Sequence, residues 1–277
     1  MLQTLALAAA LSLAPAQNSP LALTNDRVTF GGEHGPPRPN SKYLPGDIFL
    51  LAFDIENLAA TPNQTVKYSI GMTVSDASGR EVVGPDGKPL YSSPPGEQEV
   101  RLPLGGTKLP ANAYVLIQPN QPPGTLICTV AVTDKMTNAT KTLSKQFEVL
   151  PAAFGTVGLF LSYDPEGKAP APLLGRAGQG LWLNFGVIGI GRDPQTKQTN
   201  VTAEVRVFDQ AGKPTQEQPY TYFIDPKMVG EKDLGVYFRI GLPLNRAGQF
   251  TVELKTECKV TGKTYKMSFP ITVMQAQ

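Results

Sequence analysis

Apolar and polar residues alternate along several segments of the chain, and this pattern constrains the fold more than any other feature. Residues 68–74 read YSIGMTV and residues 201–207 read VTAEVRV, with an apolar side chain at every second position. The same alternation runs through residues 126–132 and 250–254. Successive side chains of a strand point to opposite faces, so this period predicts half-buried antiparallel strands. No segment has the apolar spacing of a helix over three turns, and we predict an all-β chain.

Turn residues separate the alternating segments at short intervals. Residues 76–79 read DASG and residues 209–212 read DQAG, and residues 137–138 and 261–262 mark a second pair of turns. Aspartate bonds its own backbone in such turns, and glycine accepts a positive φ. An antiparallel sheet with one apolar face needs a second layer to cover it, so this spacing predicts a β-sandwich. The predicted strands of the first half lie near residues 27–30, 47–57, 66–75, 80–83, 97–102, 112–118, 124–134 and 139–149.

The second half of the chain resembles the first when it is shifted by 124–133 positions. The matching blocks are residues 27–56 with 159–188, 68–80 with 201–213, and 114–149 with 238–273. The offset falls from 133 to 124 between the last two blocks, so the second copy is nine residues shorter there. Blocks that keep their order and match turn to turn indicate a repeated fold. We therefore predict two tandem antiparallel β-sandwich domains, at residues 22–150 and 155–274.

Two short stretches carry a resemblance to a known family. Residues 246–252 read RAGQFTV and residues 123–128 read PGTLIC, and both are similar to the corner that enters the penultimate strand of immunoglobulin-like domains. Cys128 matches the second cysteine of the usual disulfide between sheets, but no cysteine stands near Phe53 to pair with it. The resemblance implies exported bacterial tandem immunoglobulin-like or fibronectin-type-III-like modules. Modules of this kind serve as spacers and binding surfaces, and their fold alone names no function.

The amino-terminal residues predict export. Residues 5–14 read LALAAALSLA, and Ala14-Pro15-Ala16 has the small-x-small pattern of a secretory cleavage site. Ten helical residues span about 15 Å, half of a bilayer core, so a membrane-spanning anchor is excluded. We predict a signal peptide at residues 1–16 and a destination in the periplasm, the cell envelope or the extracellular space. A buried amino-terminal helix is the alternative.

Composition and charge exclude several classes of function. The chain has 25 Lys and Arg against 23 Asp and Glu, and a net charge of +2 lacks the basic excess of a nucleic-acid binder. One histidine, His34, and two cysteines, Cys128 and Cys258, are too few for histidine-rich metal sites or Ser-His-Asp catalysis. We expect His34 in a solvated loop and Cys128 as a small buried apolar residue. A disulfide between the two cysteines stays an open alternative. No cofactor and no metal is predicted.

Acidic residues offer a different route to catalysis, because two carboxylates alone can hydrolyse a glycoside. The acids that lie between predicted strands are Asp76, Asp86, Asp164, Glu166 and Asp209. Turn formation explains each of them without chemistry. Calcium binding is the milder alternative, although no Asp-x-Asp-x-Asp spacing exists.

Aromatic residues are the remaining route to binding. Tyr220 and Tyr222 would share one face of a strand, with Phe223 on the other face, and Trp182 lies in a strong strand of the second copy. Exposed aromatic side chains bind sugars and proteins, although such residues also fill cores. We predict a non-catalytic structural or protein-interaction module whose partner is an extracellular protein or polysaccharide. The alternatives are a carbohydrate-binding module or adhesin that uses Tyr220 and Tyr222, and a carboxylate-based glycoside hydrolase.

Overall fold

The computed structural model describes residues 20–32, 35 and 37–275. The predicted signal peptide at residues 1–16 and the predicted loop residue His34 lie outside the described residues. Within them the only helix is a three-residue 3-10 turn at Pro226–Met228, and all other elements are strands, which confirms the all-β prediction. No helix in this part of the chain is long and apolar enough to cross a membrane.

The strands of the first half of the described chain run from Ala22 to Val149. They are β1 Ala22–Val28, β2 Lys42–Tyr43, β3 Ile48–Glu56, β4 Thr65–Asp76, β5 Ser93–Arg101, β6 Lys108–Leu116, β7 Gly124–Asp134 and β8 Thr140–Val149. The strands of the second half run from Gly155 to Met274. They are β9 Gly155–Ser162, β10 Pro170–Ala171, β11 Leu174–Arg176, β12 Gly180–Ile188, β13 Val201–Asp209, β14 Tyr220–Phe223, β15 Gly235–Pro243, β16 Gly248–Cys258 and β17 Lys263–Met274.

Strands β1–β8 form the two layers of one sandwich. One sheet has the order β1-β3-β6 and the other has the order β2-β8-β7-β4-β5. Neighbouring strands run antiparallel except β2 and β8, which pair in parallel. The predicted alternation is visible along β7, where buried residues occupy every second position from Leu126 to Asp134. These buried rows of the two sheets pack against each other, which is the arrangement of an immunoglobulin-like sandwich.

Strands β9–β17 repeat this strand order in a second sandwich. One sheet has the order β10-β9-β12-β15 and the other has the order β11-β17-β16-β13-β14. The short strand β10 is the addition, and β11 pairs in parallel with β17 as β2 does with β8. The fold is therefore two tandem antiparallel β-sandwiches, as predicted. The boundaries of independently folding domains, at residues 22–150 and 155–274, stay a prediction.

Buried apolar side chains form one cluster in each sandwich, and Phe30 of the first half belongs to the cluster of the second sandwich. Phe49 and Phe147 stack in the first cluster with ring centroids 4.2 Å apart, and Phe185 and Phe238 stack in the second at 5.2 Å. Cys128 belongs to the first cluster and Cys258 to the second, and both thiols are free. The alternative of a disulfide between them is therefore wrong, because each cysteine fills space in a different core.

Strand register corrects part of the predicted repeat. Ile48 pairs with Leu116, and Gly180 pairs with Pro243, so β6 corresponds to β15 at an offset of 127. The predicted offset of 124 for residues 114–149 holds from β7 onward, where Gly124 and Gly248 occupy the same register position. The sequence match placed Pro119 on Pro243, and this identity is accidental.

The predicted strand at residues 80–83 is also wrong. Glu81 and Val83 make only isolated bridges, within a loop that joins β4 to β5. The predicted turns do occur, with φ of 83° at Gly79, 75° at Gly212 and 68° at Gly262.

The two sandwiches meet at a buried ion pair. Asp47 is 4% exposed, and its Oδ2 accepts hydrogen bonds from both terminal nitrogens of Arg38 at 3.1 Å. Its Oδ1 accepts from the backbone N–H of Ile48 at 2.8 Å and from that of Gly158, in the second sandwich, at 2.9 Å. The Asp47 carboxylate therefore connects the start of β3 in the first sandwich to β9 in the second.

Candidate functional site

A groove of about 530 Å³ opens at one end of the second sandwich, between its two sheets. Its walls are the edge strands β14 and β15, the loop after β15, and the inner faces of β13, β16 and β17. The apolar lining residues are Val205, Val207, Ile240, Leu242, Pro243, Leu244, Phe250, Val252, Ile271 and Val273. The other lining residues are Thr215, Gln216, Tyr220, Tyr222, Gly241, Asn245 and Arg246.

The groove is open because the second sandwich is shortened twice at this end. The connection from Met72 to its strand partner Ser93 is six residues longer than that from Val205 to its partner Tyr220. The connection from β6 to β7 is three residues longer than that from β15 to β16. Together these two differences are the nine residues by which the second copy is shorter. The groove lies between the two shortened loops.

The first sandwich closes the same end with its own side chain. Tyr91, in the longer loop, is 8% exposed and belongs to the buried apolar cluster. Its hydroxyl donates a hydrogen bond to Oε1 of Gln121 at 2.6 Å and accepts one from the backbone N–H of Gln118 at 3.1 Å. Leu90 packs beside it against the same cluster. The loop between β4 and β5 therefore fills the first sandwich where the second is hollow.

Polar groups lie around the mouth of the groove. The Thr215 hydroxyl donates to the carbonyl of Val207 at 3.1 Å, and the side-chain amide of Gln216 donates to the carbonyl of Val205 at 3.4 Å. The guanidinium of Arg246 lies 5.2 Å from the centre of the Phe250 ring. Among the described residues that line the groove, Arg246 is the only ionisable side chain apart from the two tyrosines. The groove thus combines an apolar floor with a rim of amides, hydroxyls and one cation.

The structure brings Tyr220 and Tyr222 together at this groove. Tyr220 is 61% exposed on the rim, whereas Tyr222 is half-buried and packs against the apolar cluster. Burial raises the pKa of Tyr222, and the neighbouring Tyr220 raises it further. Phe223 points away from the groove and is 68% exposed, with the Lys259 ammonium 6.0 Å from its ring centre. Trp182 lies on neither rim nor floor and covers Gly241 from the outer face of the sheet.

Four of the five acidic residues that offered a catalytic alternative hold turns, and Glu166 lies in the turn that Asp164 holds. Carboxylate oxygens of Asp76, Asp86, Asp164 and Asp209 each accept backbone N–H groups within two to five residues along the chain. The hydrogen bond from the Ser78 hydroxyl contributes most to the lowering of the Asp76 pKa to about 2. No group of three or more His, Cys, Asp or Glu side chains in the described ranges is placed to hold a metal ion.

A second, smaller groove of about 290 Å³ lies where the two sandwiches meet. Phe30 and Leu50 of the first half and Phe160 of the second half are among its lining residues. Tyr114 and Leu116, more than half exposed, complete one wall. Sequence reasoning missed both grooves, although the nine-residue shortening of the second copy was the signal for the larger one.

Comparison with known proteins finds likeness in structure only. No family model matches the sequence, and no curated protein matches it significantly. The carboxy-terminal domain of the Streptococcus pyogenes antigen I/II-family protein AspA is similar over 92% of this chain and 100% of its own, at 8% identity and a TM-score of 0.31. Dimeric latent PorU from Porphyromonas gingivalis is similar over 96% of this chain and 21% of its own, at 11% identity and a TM-score of 0.38.

A family 123 glycoside hydrolase from Clostridium perfringens is similar over 48% of this chain and 27% of its own, at 13% identity and a TM-score of 0.31. TM-scores below 0.5 transfer no function from any of these proteins. The function of this chain has to be argued from its own groove.

Proposed function

We propose that this chain is a non-catalytic, exported module that binds another protein through the groove of its second sandwich. The observation that carries the proposal is the lining of that groove, which has an apolar floor and a rim of amides and hydroxyls. A concave apolar site with a few convergent polar groups is the usual form of a binding site. No Asp, Glu, His or Cys is among the described residues that line it, so the groove holds no acid–base pair for hydrolysis.

Export is supported by the apolar segment at residues 5–14 and the small residues that follow it. The test is expression of the full chain in a bacterial host, followed by fractionation and amino-terminal sequencing of the product. We expect a product that begins at Gln17 in the exported fraction. A product that keeps Met1 and stays in the cytoplasm would contradict export and leave the groove proposal untouched.

Carbohydrate binding is the second candidate, and the position of two tyrosines favours it. Tyr220 is exposed on the rim beside the half-buried Tyr222, and the Gln216 amide lies within the same lining. Aromatic rings next to amide groups are suited to sugars as well as to proteins. The aliphatic floor below them distinguishes the two ligands, because sugars carry hydroxyls that this floor cannot pair.

Binding arrays of proteins and glycans test the two candidates together. The variants are a Tyr220→Ala/Tyr222→Ala double variant, a milder Asn245→Ala variant and a Tyr163→Ala control. Tyr163 is 51% exposed and lies outside the groove. We expect a protein ligand that is lost in the double variant, weakened by Asn245→Ala and kept by the control. Thermal unfolding of each variant identifies any loss that is due to misfolding.

Retention of the ligand by every folded groove variant would refute the groove as the binding surface. A glycan ligand that is lost in the same variants would replace the protein-binding proposal with the carbohydrate candidate.

A further inference from the structure

We infer that the groove of the second sandwich binds a tyrosine side chain, preceded by an aliphatic residue, on an extended segment of a partner protein. This inference rests on the proposed function and names the chemistry of its ligand. The model for the ligand is the chain itself, because the first sandwich fills the corresponding space with Leu90 and Tyr91.

Backbone hydrogen bonds establish that the two spaces correspond. In the first sandwich Ile117 donates to the carbonyl of Asp47 and accepts from the N–H of Gly46. In the second sandwich Leu244 donates to the carbonyl of Gln179 and accepts from the N–H of Gly178. The wall formed by the loop after β15 therefore has a counterpart in the first sandwich, in the loop after β6.

The opposite wall corresponds in the same way. The N–H of Val82 donates to the carbonyl of Val74 at 2.9 Å, and the N–H of Thr215 donates to the carbonyl of Val207 at 2.9 Å. After these matching residues the two chains diverge. In the first sandwich residues 83–92, VGPDGKPLYS, form a loop that contains Leu90 and Tyr91, and we call these two side chains the plug. In the second sandwich only residues 216–219, QEQP, connect Thr215 to β14. The second sandwich keeps the walls and has no aromatic or branched aliphatic residue in the loop that would fill them.

The polar partners of the plug hydroxyl also have a counterpart. Tyr91 bonds the N–H of Gln118 and the side-chain amide of Gln121. The register of β15 places Asn245 at the position of Gln118, and the register of β16 places the same residue at the position of Gln121. Asn245 therefore offers both a backbone N–H and a side-chain amide at the groove, which is the set that a tyrosine hydroxyl uses in the first sandwich.

The floor favours an aromatic ring over a sugar. Val207, Leu242 and Phe250 line the groove and are only partly buried. A ring that covers them removes their exposed apolar surface from water, which favours binding. A sugar in the same position would leave hydroxyls unpaired against aliphatic carbon, which costs free energy. The ligand is therefore a protein segment that presents one aromatic residue with a polar tip.

Titration of the full chain with short peptides tests the inference, with amide chemical shifts in NMR as the readout. The probe is a peptide of residues 87–93, GKPLYSS, and the matched controls replace its tyrosine by phenylalanine or by alanine. We expect the tyrosine peptide to shift the amide signals of Val207, Gly241 and Asn245. The alanine peptide should shift none of them. The phenylalanine peptide should bind about 2- to 10-fold more weakly, since it lacks one or two hydrogen bonds.

The Asn245→Ala variant gives a second readout that a purely structural effect would not produce. It should weaken binding of the tyrosine peptide and leave the affinity for the phenylalanine peptide unchanged, because only the tyrosine hydroxyl forms a hydrogen bond with the Asn245 side-chain amide. Equal binding of the tyrosine and alanine peptides, or shifts confined to residues outside the groove, would overturn the inference. Concentration-dependent shifts at the groove without peptide would overturn it as well, since they would assign the groove to a second copy of the chain.

Failure of the inference differs from failure of the proposed function. If the peptides leave the groove signals unchanged while groove variants lose an array ligand, the tyrosine is the wrong occupant and the binding function stands. If the array ligand is retained by all groove variants, both proposals fall.

Discussion

Removal of the Asp47 carboxylate is the sharpest test of how the two sandwiches are joined. Asp47→Ala deletes the acceptor of four hydrogen bonds, two from Arg38 and one each from the N–H groups of Ile48 and Gly158. It leaves the Arg38 guanidinium between the Phe30 and Tyr43 rings, with its side chain only 12% exposed. The buried positive charge of Arg38 then has no carboxylate to compensate it, whereas the free-energy cost of removing that charge from water remains.

The magnitude follows from this burial. Loss of one partner of a buried ion pair costs about 3–5 kcal/mol of unfolding free energy. For a chain of this size that lowers Tm by roughly 6–20 °C. Glu99→Ala is the matched control, because the Lys67–Glu99 pair has a similar length of 3.0 Å but both side chains are more than half exposed. Its cost should stay below about 1 kcal/mol.

Urea unfolding measures the free energy of unfolding of both variants, and calorimetry measures their Tm. Small-angle scattering measures the overall length of the chain, which depends on the junction between the sandwiches. We expect the Asp47→Ala chain to be longer in solution, since the bond to Gly158 crosses between the sandwiches. If Asp47→Ala destabilises the chain no more than Glu99→Ala does, the buried pair contributes nothing beyond a surface ion pair and the argument is wrong.

Two further predictions concern ionisable groups. Burial raises the pKa of the Cys128 thiol to about 12. Burial alone would also raise the pKa of Cys258, but hydrogen bonds with Thr261 and Gly191 outweigh it and lower that pKa. Neither cysteine is accessible to solvent, so a thiol reagent should label neither in the native chain and two thiols in denaturant. Burial alone would raise the pKa of Asp54, but hydrogen bonds from Asn25 and Lys108 outweigh it and lower the pKa from 3.8. Stability from this carboxylate is present at neutral pH and lost as the pH falls below about 4. Asp54→Asn should flatten that acid decline, and an unchanged decline would reject the assignment.

Most of the architecture could be predicted from the sequence, because the alternation of apolar residues and the choice of turn residues are local features. The buried rows of β7 and the positive φ of Gly79 and Gly212 follow from residues that are neighbours in the chain. Strand register was harder to predict from the sequence. The match of Pro119 with Pro243 concealed that the loop after β15 is three residues shorter than the loop after β6. A chance identity in a loop outweighed the burial pattern of the strand beside it.

The sites were the least predictable part, because they depend on contacts between distant residues. Tyr91 lies in a loop between strands, and nothing in its neighbourhood indicates that it fills the end of a core. Asp47 reads as a turn residue, yet one of its bonds reaches 111 positions along the chain. Tyr220 and Tyr222 were recognised as candidate ligand residues, but the floor beneath them comes from β13, β16 and β17.

If the second sandwich binds its partner because it lacks the plug of the first, then filling its groove should abolish binding. The most direct measurement grafts residues 83–92 in place of residues 216–219 and compares ligand binding of the grafted and parent chains by calorimetry. We expect a folded chain, with Tm equal to or above that of the parent, whose affinity for the array ligand falls by about 100-fold or more. A stably folded graft that binds as tightly as the parent would contradict it.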